Sequence, residues 1–161
     1  MMEIHPKPTE ILKKLQRIYT FMFLSSLTMA GVGSLVVSRL GDTYQFSSSI
    51  ATLASYAAIA MVLILIPLSQ ALPQRRIALL NRENPLEILL AHYSKAIILR
   101  FAMIQIAVLF ATSGFIITKN TDMLLLVAIG LLFLSLNRPS RFKVAKDLNL
   151  STDDEARLSK A

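Results

Sequence analysis

The sequence predicts an all-α membrane protein of four transmembrane helices, the second and third extended into a helical hairpin on the cytoplasmic side. Three observations carry this expectation. The 161 residues are 54% hydrophobic with a mean hydropathy of +0.56, too apolar for an ordinary soluble domain of one-domain length. The apolar residues are gathered into four blocks, as spanning segments require. Of the 17 Lys and Arg residues, 15 fall on one side of the alternation that those blocks impose.

The blocks run from about Ile18 to Ser38, Ile50 to Leu72, Ile97 to Ile117 and Met123 to Leu136. The first three have bilayer length, and a lone apolar segment in lipid must satisfy its own backbone, so they are helices. The fourth is short: its 14 residues rise only about 21 Å against a hydrocarbon core of roughly 30 Å. Ten of those 14 are Leu, Ile, Val or Phe, which favours insertion by very roughly 3–6 kcal/mol. The expected organisation is a cytoplasmic segment 1–17, a four-helix transmembrane domain 18–137 and a basic cytoplasmic tail 138–161.

Lys7, Lys13, Lys14 and Arg17 precede the first block, and Arg39 alone follows it. Arg75, Arg76, Arg82, Lys95 and Arg100 lie between the second block and the mouth of the third. Lys119 is alone between the third and fourth, and six more basic residues follow Leu136. Basic residues are retained in the cytoplasm during insertion, so both termini are expected inside, in a multi-pass plasma-membrane protein. The first block is longer than a signal-peptide core and lacks a convincing small-residue cleavage site, so it reads as an uncleaved span. Tyr19, Tyr44 and Tyr93 fall near the expected interfaces, whereas Tyr56 would need a hydrogen-bond partner inside the bundle.

Thr9 is placed to cap a helix with Glu10 in its first turn. The outer loops, Arg39 to Ser47 and Lys119 to Asp122, leave no room for an external domain, and Thr121 or Asp122 can cap the fourth helix. On the inner side, Gln74 to Arg82 is helix-compatible after a kink at Pro73. Asn84-Pro85 starts the third helix, where Leu86, Leu89, Leu90, Tyr93 and Ile97 recur at helical spacing. Nothing breaks it over the 33 residues to Ile117, about 50 Å, so some 15–20 Å should project beyond the hydrocarbon. A surface-lying segment over residues 85–96 is the alternative. In the tail, Ser140 can cap a surface helix with Phe142, Ala145 and Leu148 on one face, and Ser151 can cap another.

Chemistry is sparse. The absence of cysteine excludes disulfides, thiolate metal sites and thiol nucleophiles. None of the ten Asp and Glu residues falls inside an expected span, which argues against proton-driven transport of the small multidrug type. His5 and His92 have no companion ligand, and no serine is paired with a base. The expectation is therefore no enzyme, no catalytic residue, no metal and no cofactor, and the basic residues lack the interleaved aromatics of a nucleic-acid surface. Gln105 is a candidate buried polar contact, its amide bonding between helices for around 0.6–2 kcal/mol. Ser26, Ala30, Ser34 and Ser38 place a small residue at every fourth position, a candidate packing seam, with Ala51, Ala54, Ser55 and Ala58 on the second span as a partner. Expected partners are the bilayer, anionic lipid headgroups at the basic rim, and a second copy or another membrane protein. The expected role is an accessory subunit, assembly factor or scaffold. A small oligomeric channel or facilitator is the alternative, but it needs polar positions aligned through several spans, and only the first two offer them.

Two stretches carry resemblances. Asn81-Arg82-Glu83-Asn84-Pro85 is similar to a stretch of the membrane glutathione-transferase family, but there it follows the first helix and here the second, so nothing is transferred. Ile98-Leu99-Arg100-Phe101-Ala102, Leu109-Phe110 and the run from Arg138 to Ser151 resemble small bacterial four-span membrane proteins of unassigned function. That resemblance covers about residues 93–151 and implies a bacterial inner-membrane location. Its pattern has a glutamate where Gln105 stands, so a role for that carboxylate would be lost here.

Overall fold

The computed structural model describes residues 8–40, 43–80, 85–150 and 154, and among them all regular structure is helical. Helix α1 is Pro8–Leu40, α2 is Ser48–Ala78, α3 is Leu86–Thr118, α4 is Asp122–Leu136 and α5 is Arg141–Leu148. Helix α1 already includes Pro8 and Thr9, so Thr9 lies inside it and is not its N-cap. Pro67 and Pro73 are both accommodated inside α2, which ends at Ala78, short of the Arg82 its composition allows. Helix α3 starts after Pro85 as expected and ends on Lys119 in the left-handed conformation, its N–H returned to the Phe115 carbonyl. The expected capping of a last tail helix by Ser151 lies outside the described residues.

Three helices, α1, α2 and α3, are long and apolar enough to cross a membrane. Helix α4 has 15 residues, and the chain bends by 78° between it and α5.

Helix α3 is the hub. Half of its apolar stretch is buried, against 11% for α1 and 17% for α2, because α1, α2 and α4 all pack on α3. A helix apolar all round belongs in the middle of a bundle. Glycines mark the closest approaches. A Cβ on Gly114 of α3 would stand 2.9 Å from the Ala58 Cβ of α2, and one on Gly33 of α1 would stand 3.0 Å from Thr112 Cγ2 of α3. On α4, a Cβ at Gly130 would run into the Val108 side chain. The pairs Gly33–Thr112, Ala58–Gly114 and Gly130–Val108 make α1 parallel to α3, and α2 and α4 antiparallel to it, when combined with the contacts near Arg100 described below.

Four expectations need correction. The small residues of α2 face α3, so α1 finds its partner in α3 and not in α2. Tyr56 is 69% exposed, so its hydroxyl is not enclosed within the bundle. Ser140 does cap α5, accepting from the Lys143 N–H, but the inward face is Val144, Ala145 and Leu148, while Phe142 is 79% exposed. Nor does α5 lie on a surface: Val144 and Leu148 join Leu12, Leu15, Leu89 and Tyr93 in the main apolar core. The Gln16 amide further ties α1 to the α4–α5 turn by donating to the Pro139 carbonyl at 3.2 Å.

Candidate functional site

The site grows from a proline. Pro73 has no N–H, so the Ser69 carbonyl four residues before it lacks its helical donor. A buried carbonyl without a partner is costly. Arg100 of α3 fills the gap, its Nε donating to the Ser69 oxygen at 3.2 Å. The Ser69 hydroxyl is itself turned back onto the Ile66 carbonyl at 2.6 Å.

The same guanidinium reaches the end of α4. Its Nη1 donates to Asn137 Oδ1 at 3.1 Å, and the Asn137 amide donates to the Phe133 carbonyl at 2.7 Å. Helix α4 thus ends on a side chain that Arg100 holds. Lys143 of α5 donates from Nζ to the Leu136 carbonyl at 3.0 Å and to Asn137 Oδ1 at 3.3 Å, a cation at the negative end of the α4 dipole. One turn further on, Asp147 accepts the Tyr93 hydroxyl at 3.0 Å. Four helices therefore meet at one polar node, and Arg100 at its centre is only 3% exposed.

An open cavity of about 330 Å³ adjoins the node. Its polar lining is Gln70, Gln74, Arg100, Asn137, Lys143 and Asp147, and Ile77, Leu80, Leu89 and Leu148 contribute apolar wall. Gln70 Nε2 is buried with no hydrogen-bond partner. Burial, reinforced by the nearby Arg100 guanidinium, holds the Lys143 ammonium below the ordinary lysine range, and Asp147 offsets part of this. The cavity is a net cationic, donor-rich recess, suited to a small anion and lacking a nucleophile–base pair. Among the described residues, no three His, Asp or Glu side chains gather as a metal site would require.

The other sequence-singled residues lie elsewhere. Gln105 sits between α3 and α1, accepting from the Ser26 hydroxyl and donating to the Ser25 oxygen at 3.3 Å. Of the small-residue stripe, Ser26 is fully buried and Ala30 half-buried against the core, whereas Ser34 and Ser38 are exposed and bond back to their own helix. His92 is exposed, its Nδ1 against the Ile88 carbonyl.

Sequence reasoning counted Arg100 as one more rim charge and missed the node. The available signal was Pro73 itself, since a proline inside an apolar helix leaves a carbonyl that a donor on a neighbouring helix must satisfy. The chain matches no family model, no curated protein and no solved structure.

Proposed function

We propose that this chain is a four-span protein of the bacterial plasma membrane, both termini cytoplasmic, acting without catalysis as an accessory subunit, assembly factor or scaffold of a membrane complex. The supporting observation is a pair of matched polar levels. Arg100 and Lys119 on α3 are 19 residues apart, about 28 Å of helix, close to the roughly 30 Å of a hydrocarbon core. Helix α4, rising about 22 Å, starts at the turn after Lys119 and finishes beside the Arg100 side chain. Asp122 N–H donates to Asn120 Oδ1 beside Lys119, and Asn137 is bonded to Arg100. Short as it is, α4 therefore runs the same course as the spanning part of α3, which favours a fourth crossing. The basic bias then puts the Arg100 level on the inside.

On this reading residues 86–99 of α3 stand in the cytoplasm, but not as a bare hairpin. The first turns of α1 and the Val144–Leu148 face of α5 join them in one apolar cluster, which forms an inner cap. The scaffold role rests on what stays uncovered: α1 and α2 present Phe21, Leu24, Leu35, Leu53 and Leu63 outward, long apolar faces open to lipid or to another membrane helix. A photo-crosslinking residue at Leu24, Leu35 or Leu63 in living cells should give discrete protein adducts of fixed mass. Adducts to lipid alone at all three positions would remove the support for a scaffold.

A further inference from the structure

The cavity beside Arg100 and Lys143 has the makings of a ligand site. Arg100 is a charged group almost wholly removed from solvent, and its two hydrogen bonds go to neutral acceptors, the Ser69 carbonyl and the Asn137 amide oxygen. Its Nη2 makes no bond to the described protein. Lys143 likewise bonds only a carbonyl and an amide oxygen. Among the described residues no carboxylate comes within ion-pair distance of either cation. Asp147 is near enough to be felt electrostatically, but its bonded partner is the Tyr93 hydroxyl. A buried cation without a counter-ion is expensive, so a negative group is called for. Gln70 Nε2, buried and unpartnered on the same cavity, is a further donor with no acceptor.

We infer that this cavity binds a phosphodiester monoanion, held by the Arg100 guanidinium and the Lys143 ammonium with Gln70 and Gln74 as additional donors. The free Nη2 of Arg100 and the third N–H of Lys143 can each donate to a phosphate oxygen, and a single negative charge balances two cations and one carboxylate. Asp147 would oppose a second negative charge, which disfavours a phosphomonoester dianion. The apolar wall of Ile77 and Leu148 beside the polar floor suits a phosphate that carries a carbon substituent. Two sources share this chemistry: the headgroup of an anionic phospholipid, and a soluble phosphodiester. Only the lipid source rests on the four-span reading, which sets the cavity at headgroup level.

The test uses the full chain purified in a neutral detergent, with native mass spectrometry as the readout. Phosphatidylglycerol in a phosphatidylcholine background supplies one arm, and glycerophosphoglycerol, its water-soluble headgroup, supplies the other. One copy of at least one probe should be retained. R100Q and K143Q should each lower occupancy about tenfold or more, whereas K146Q should leave it within about twofold. K146Q removes the same charge from the same helix at an exposed position, so it reports general attraction to anions. Retention of the lipid alone assigns the membrane source, and retention of the soluble probe assigns the cytosolic one. Equal losses in K143Q and K146Q, or retention of neither probe, would overturn the site. Should R100Q fail to fold, K143Q and Q70L carry the comparison. Binding in detergent is independent of topology, so failure of the site and failure of the four-span reading are read separately.

Discussion

Arg100 shows how one missing hydrogen can decide where a charge sits. The guanidinium serves a carbonyl that Pro73 leaves bare, and it closes α4 through Asn137. Removing it should leave the Ser69 carbonyl buried and unpaired, a loss of about 1–3 kcal/mol from that group. Pro73→Ala restores the N–H that Ser69 would otherwise have met. The double variant P73A/R100L is therefore expected to be less destabilised than R100L alone, with a coupling of about 1–2 kcal/mol. Denaturant unfolding of the two single variants and the double in detergent checks this, and simple additivity would separate Pro73 from Arg100. At this scale the sequence was half informative. Gln105 stood out because an amide in an apolar block has few uses, and it does bridge to Ser25 and Ser26. Arg100 did not, because a cation at the end of an apolar block looks like any rim residue until the helix beside it is known.

Among the elements, the seam on α1 shows where period arithmetic matters. Each step of four residues turns about 40° beyond a full circle, so three steps carry the stripe roughly 120° round the helix. Ser26 and Ala30 stay toward α3, and Ser34 and Ser38 rotate out to the surface. Gly33 takes over the contact, against Thr112. Ala30→Ile should therefore cost about 1–3 kcal/mol by overpacking, while the same change at exposed Met29 should cost well under 1 kcal/mol. Gly130→Ala and Gly31→Ala form a sharper pair. The first meets the Val108 side chain and should lose about 1–3 kcal/mol. The second has nothing within 4 Å and should be neutral or gain up to about 1 kcal/mol from helix propensity. Melting temperatures in detergent separate them, and equal melts would contradict the close approach of α4 to α3. The apolar runs located the middles of α1 to α4, whereas the first turns of α1 and α3, which precede those runs, were marked by the start signals near Thr9 and at Asn84-Pro85. The inner face of α5 did not. Eight residues with Phe142, Val144, Ala145 and Leu148 allow more than one apolar stripe, and the docking site formed by α1 and α3 selects Val144 and Leu148 over Phe142.

For the whole molecule, the organising feature is a hub helix with three neighbours, capped at one end by α5 and the first turns of α1. The apolar blocks and the charge bias spoke to helices and to a direction of insertion, but not to which helix lies at the centre. That choice is made by close approach at Gly33, Gly114 and Gly130, and small residues in membrane helices are too common to reveal it unaided. The central claim is that α4 crosses the membrane and returns the chain to the cytoplasm. With no native cysteine, single cysteines at Thr43, Asn120 and Lys146 can be labelled in intact cells by a membrane-impermeant maleimide. Thr43 and Asn120 should label from outside and Lys146 only after permeabilisation. Labelling of Lys146 in intact cells would mean that α4 does not cross, and the account would fall to three spans.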